Sequence, residues 1–250
     1  MIARRLASCL VILMTGLLAA CTEMPEPSGE PKTVAGRVPF VGGAIDARTA
    51  ARNFIEVVEA VEPVAEAECR RRAAHSNCDL RIVVDDRPGM PPNAFQTIDS
   101  EGQPIIAFTL SLIAEARNKD EIAFVMAHEA AHHIEGHLDR QREYATAGAV
   151  VFGQLAGVLG AGSEDEIRTA QEIGAVVGAR SYSKSFELEA DDLGTIITAR
   201  AGFNPIVGAD FFFRIPDPDG RFLSTHPPNA ERYDAVITRA ATLGITPPMN

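Results

Sequence analysis

Positive charge is scarce in this chain: 23 lysines and arginines face 34 aspartates and glutamates, giving a formal net charge of −11. No basic run exceeds Arg70-Arg71-Arg72. That balance argues against a nucleic-acid partner and against electrostatic adhesion to anionic lipid. The N-terminal apolar stretch from Leu6 to Ala20 stops at about 15 residues, short of the roughly 20 that span a bilayer. No internal repeat is present, which argues against a solenoid or propeller. Cysteine is limited to four, without the paired spacing of a cysteine-rich zinc module.

What the chain does have begins with a targeting segment. Arg4 and Arg5 precede the apolar run, which ends in Leu18-Ala19-Ala20-Cys21. Small residues followed directly by cysteine look like a bacterial lipobox, in which Cys21 is lipidated and becomes the mature N-terminus. An ordinary cleaved signal or an uncleaved anchor would leave that cysteine unexplained. Residues 1–20 are therefore expected to be a lipoprotein signal peptide. Thr22, rather than Asp, follows the cysteine, which favours the outer membrane. Each buried methylene of the acyl chains contributes about 0.8 kcal/mol to anchoring. Residues 21–43 are rich in proline and glycine without apolar period and read as a tether. Residues 44–250 remain for one catalytic domain, ample for a core. With Cys9 in the leader and Cys21 lipidated, Cys69 and Cys78 are left in an oxidising compartment, eight residues between them. A disulfide closing that loop is expected.

The domain reads as α+β and mainly helical. Phe54, Val57, Val58, Val61 and Val64 fall near 3.6-residue periodicity and predict a helix over about 47–72, which Pro63 can bend. Short apolar runs at 80–85, 94–98 and 104–109 predict three strands in a small antiparallel sheet. The turns between them are Asp86-Arg87-Pro88-Gly89 and Asp99-Ser100-Glu101-Gly102. Asn118, with Glu121 three residues on, marks a helix start. Ala145 to Gly162 carries no charge and is full of Ala, Gly and Val. A core helical hairpin is the plain expectation there, with a membrane-dipping segment or a flap over the site as alternatives. Ser163 with Glu166 starts another helix, a further one spans about 185–201 before Gly202, and a short helix closes the domain over about 230–243.

The helix after Asn118 carries His128-Glu129-Ala130-Ala131-His132. Positions four apart share a helix face, so the two imidazoles can grip one metal ion, with Glu129 near enough to act on a bound water. Ile122, Phe124, Val125, Met126, Ala127, Ala130, Ala131 and Ile134 make this helix apolar on nearly every side, hence buried. Two histidines and a glutamate in such a helix need partners, and a metal supplies them. Core histidines satisfied by hydrogen bonds are the bland alternative. A catalytic zinc usually takes a third protein ligand. His133 and His137 are off the ligand face, and Leu138 stands where a metzincin has its third histidine. The third ligand should come from another helix. Phe186-Glu187-Leu188-Glu189-Ala190-Asp191 offers Glu187 and Asp191 on one face, one to bind and one to orient a ligating histidine.

Asn93-Ala94-Phe95, the histidine motif, Ser183-Lys184 before Glu187-Leu188-Glu189-Ala190-Asp191, and Thr225-His226-Pro227-Pro228 with Arg232 occur together in this order. The combination resembles the family of HtpX, BepA and the Ste24-like CAAX prenyl proteases, membrane-associated gluzincin zinc peptidases, over roughly residues 54–239. It is most similar to the periplasmic BepA-like members. The resemblance implies a zincin-type active-site helix packed on the small sheet and one Zn2+ per chain. It implies His128, His132 and Glu187 as zinc ligands, Glu129 as general base and Asp191 behind a ligating histidine, with Glu189 a weaker ligand candidate than Glu187. It places His226 and Arg232 along the active site; in BepA-like members the matching histidine can approach the metal and regulate it. Lys184 stands where Arg is frequent, and Gln96-Thr97-Ile98-Asp99 replaces a glycine-rich turn. Neither tetratricopeptide repeats nor HtpX-like transmembrane helices are recognisable. The implied protein is a zinc metalloendopeptidase of the bacterial envelope, facing the periplasm and held to the membrane through Cys21. Its substrates would be unfolded or misassembled envelope proteins. The alternative is a latched peptidase acting mainly as a chaperone-like binding module for outer-membrane proteins.

Overall fold

The computed structural model describes residues 45–160, 163–215 and 227–247. The expectations for residues 1–43, Cys21 among them, and for His226 lie outside these residues. Helix α1 (Ala47–Arg72) starts at Asp46, whose carboxylate accepts from the backbone N–H groups of Arg48 and Thr49. It runs through Pro63 as one helix and buries Phe54, Val57 and Val61, the centre of the anticipated stripe. Its last turn holds Cys69, disulfide-bonded to Cys78 with 5.6 Å between the Cα atoms. The closed loop sets the Asn77 carbonyl 2.7 Å from His133 Nε2.

Strands β1 (Arg81–Asp85), β2 (Ala94–Ile98) and β3 (Pro104–Thr109) form one sheet in the order β1-β3-β2. β2 and β3 are antiparallel, as expected of the Asp99–Gly102 turn, but β1 runs parallel to β3, so the sheet is mixed and not wholly antiparallel. The reason lies after Gly89. Asp86-Arg87-Pro88-Gly89 is followed by Met90-Pro91-Pro92-Asn93, and prolines have no N–H to donate to a ladder. The chain therefore leaves the edge of β1 and crosses to the far side of β3. There Thr109 N donates to the Asn93 carbonyl at 2.9 Å, and the Ser111 hydroxyl donates to the Met90 carbonyl at 2.7 Å. β2 is left as an edge strand among the described residues.

After α2 (Leu110–Glu115) comes α3 (Lys119–Ile134), capped by the Asn118 side chain on Glu121 N and buried along most of its length. Two longer helices follow, α4 (His137–Val158) and α5 (Glu164–Ser181), then α6 (Ser183–Arg200). The short α7 (Pro205–Ala209), a 3-10 turn at Asp210–Phe213 and α8 (Asn229–Thr242) complete the described chain. Val57, Val61, Ile106, Phe108, Met126, Leu193 and Ile197 knit α1, the sheet, α3 and α6 into the main core. A second cluster of Phe124, Ile206, Phe212, Tyr233 and Val236 holds α7 and α8 against the other flank of α3.

The uncharged segment does form a helical hairpin with α5, but not a core one. Only His137 and Gly153 of α4 and Gly174 of α5 are buried. The two helices touch backbone to backbone: a Cβ on Gly148 would sit 2.0 Å from the Gly174 carbonyl oxygen. Val150, Val151, Leu155, Val158 and Leu159 are exposed. Among the described residues, no helix is long and apolar enough to cross a membrane.

Candidate active site

α3 delivers His128 and His132 to one face, and α6 brings Glu187 to meet them. The two helices approach closely because residue 194 has no side chain. A Cβ on Gly194 would lie 3.1 Å from both the Cα and the N of His128. At that separation His128 Nε2 is 3.0 Å from His132 Nε2 and 3.5 Å from Glu187 Oε2, and His132 Nε2 is 3.6 Å from Glu187 Oε1. Ligand atoms bound tetrahedrally at about 2.0–2.1 Å from a zinc stand about 3.3 Å from one another. The three donors, all within 4.8 Å of one another, therefore match the spacing of a metal cage.

The far side of each imidazole strengthens the match. His128 Nδ1 is 3.0 Å from Asp191 Oδ1, in a fully buried carboxylate that Arg232 of α8 grips with two bonds of 2.8 Å. An N–H donated to Asp191 leaves the Nε2 lone pair of His128 facing inward. His132 Nδ1 lies 2.8 Å from His137 Nδ1, so its Nε2 likewise points at the gap. Two lone pairs and a carboxylate converging on one point suit a cation. Burial pulls the pKa of His128 down, yet its hydrogen bonds to Asp191 and Glu187 outweigh burial and raise it to about 9, so a cation would have to displace the Nε2 proton to use that lone pair. Burial, followed by the charge on His128, holds His132 well below its ordinary value. Glu129 lines the same cavity, and desolvation there pushes its carboxyl up to about 7. Arg232 also reaches Glu187, Nη2 to Oε2 at 3.3 Å, and its guanidinium lies 4.2 Å from the centre of the Phe212 ring.

The cavity holds about 720 Å³. Asn93, Ala94, Phe95 and Gln96, at and beside the edge strand, form one wall, and Phe211 and Phe212 lie on another. The structure thus brings together His128, Glu129, His132, Glu187, Asp191 and Arg232. His133 is turned away onto Asn77. Glu189 is not in the cage: it bonds His137 Nε2 at 3.1 Å and Arg140 at 2.6 Å. The Arg140 hydrogen bond holds the Glu189 carboxyl below its ordinary value.

Three contributions escape sequence reasoning. Gly194 offers no donor and gives no motif signal. His137 is off the face of α3 because it belongs to another helix. Gly136, with φ of 65°, ends α3 in the left-handed region and starts α4 at once, which swings His137 back beside His132. Arg140 sits one turn further along α4; its spacing of three from His137 is the only trace in the sequence.

Residues 53–240 match the family described as Peptidase family M48. A protein of Vibrio cholerae, provisionally named for beta-barrel assembly enhancement, is 33% identical over 129 residues, 49% of this chain and 26% of its own length. The beta-barrel assembly-enhancing proteases of Escherichia coli K12 and Yersinia pestis are 31% identical over 138 residues and 30% identical over 132. Those matches cover 50% and 47% of this chain but 28% and 27% of the relatives. The matched part of the chain therefore spans about a quarter of the relatives' length. With the family match extending over three quarters of the sequence, and the donor cluster inside it, the chain belongs to peptidase family M48.

Proposed function

We propose that the protein is a zinc-dependent metalloendopeptidase of the bacterial cell envelope. The observation that carries this reading is the convergence of His128, His132 and Glu187 beside Glu129 in one cavity walled by an edge strand. These three side chains would hold the zinc. When bound, zinc supplies a Lewis acid and lowers the pKa of a water at the site. Glu129 takes the proton of the attacking water and delivers it to the leaving amine. Arg232, fixed by Asp191, offers a guanidinium N–H to the oxygen that gains charge. His226 belongs to this proposal as a second residue along the site.

The outer edge of β2 beside the cavity, where the Gln96 backbone N–H meets the Glu129 carboxylate, supports the choice of substrate. An extended peptide pairing with it would be held by main-chain hydrogen bonds, which read chain conformation rather than sequence. That suits unfolded or misassembled envelope proteins, a substrate class in keeping with the names of the relatives. The leader and Cys21 support lipid anchoring at the outer membrane, facing the periplasm, with 21–43 as tether and 44–250 as the catalytic domain.

The test is cleavage of unfolded casein by the wild-type protein and by Glu129→Gln, with zinc content measured for both. General-base loss should cut turnover by about 10²–10⁴-fold, while zinc stays bound. Equal cleavage by the two proteins would sink the assignment.

A further inference from the structure

Each histidine of the cage is backed by a carboxylate clamped by an arginine, but the two arrangements differ. His128 meets Asp191 directly, and Arg232 grips Asp191. His132 meets an imidazole instead, and only behind that does a carboxylate stand: His132 Nδ1 to His137 Nδ1 is 2.8 Å, His137 Nε2 to Glu189 Oε2 is 3.1 Å, and Arg140 Nη1 to Glu189 Oε2 is 2.6 Å. We propose that His137 and Glu189 are positioning residues that set the tautomer and orientation of His132 toward the metal, through a hydrogen-bonded relay anchored on Arg140.

With both imidazoles neutral, the hydrogen-bonded chain has one proton arrangement. A carboxylate salt-bridged to Arg140 only accepts, so His137 Nε2 carries the proton it is offered. His137 Nδ1 is then a lone pair and accepts from His132 Nδ1–H. His132 Nε2 is left as a lone pair facing Glu187 and His128, the form a metal needs. Packing holds the relay in place. The His137 ring stacks on Phe186, with centroids 4.5 Å apart and planes at 12°, and Arg140 lies 4.3 Å from the same Phe186 ring. His137 itself is 4% exposed.

The inference rests on His128, His132 and Glu187 being the zinc ligands. The experiment is zinc affinity of the full-length chain, by competition with a chromophoric chelator, together with the visible spectrum of the cobalt-substituted protein. His137→Phe keeps a ring on Phe186 and removes the acceptor; His137→Asn restores an acceptor near the Nδ1 position. His137→Phe should weaken zinc binding by about 10–100-fold, the usual cost of losing a partner behind a ligand, and should shift the cobalt bands. His137→Asn should recover most of the affinity. Glu189→Gln, on a half-exposed side chain that carries little folding risk, should fall between wild type and His137→Phe. Affinities within two-fold of wild type in both His137→Phe and Glu189→Gln would overturn the relay, as would an equal loss in His137→Phe and His137→Asn. A wild-type chain that binds no zinc would overturn the ligand assignment and the relay together.

Discussion

Two helix pairs in this protein use the same device to opposite ends. α3 and α6 meet at Gly194, whose missing side chain lets the backbone of His128 come close. α4 and α5 meet at Gly148, Gly174 and Gly178, where backbone again touches backbone. Around the first contact stand Met126, Ala127, Ala130, Leu193 and Ile197, all buried, with α1 and the sheet closing over them. Around the second stand Val150, Val151, Leu155 and Ile173, all exposed. Glycine fixes only the distance between two helices. Whether the pair becomes a rigid cage or a projecting arm depends on what the flanking side chains find to bury against.

The sharpest way to break the comparison is Gly194→Val. Overpacking at that crossing should cost about 3 kcal/mol, and by moving α6 off α3 it should weaken zinc binding at least ten-fold. Urea unfolding and chelator competition would show it; an unchanged midpoint with unchanged affinity would mean the crossing tolerates expansion. Next in size is reduction of Cys69–Cys78. Freeing a loop of this length should cost about 2.5 kcal/mol through unfolded-state entropy, with the loss confined to the core unit. Unfolding with and without reductant measures it, and hydrogen exchange should leave α4 and α5 untouched. The smallest effect is expected of Gly174→Val, whose side chain would press on the Gly148 carbonyl. The arm should open locally and exchange its amides faster over 144–178, at a global cost below about 1 kcal/mol. A global loss matching that of Gly194→Val would erase the distinction between the two pairs.

The helices were legible wherever a local signal marked them. Asn118 and Ser163 cap where side-chain chemistry said they should, and the stripe through Phe54, Val57 and Val61 faces the core. The histidine motif and the spacing of Glu187 and Asp191 were equally local, and the structure gathers them at one point. Strand direction was not local. It turned on the proline-rich residues 90–93, which carry the chain across β3 where a hairpin turn would have kept β1 antiparallel to its neighbour. The exposure of the arm was also hidden, because an uncharged segment rich in alanine, glycine and valine has the same composition inside or out. His137 is off the ligand face of α3, as its spacing from His132 implies, and only the left-handed Gly136 after that helix returns it to the site. Glu189 was weighed as a ligand because its partners, His137 and Arg140, lie some fifty residues away in sequence.

α4 belongs to both halves of the comparison. Its first turn carries His137 and Arg140 against the cage, and its last carries Val158 into solvent. At 22 residues it is a rod about 33 Å long, so a displacement of about 3 Å at the tip tilts its root by about 5°. The arm is in mechanical terms a lever, with its short end at the hydrogen bond between His137 and His132 and its long end in solvent.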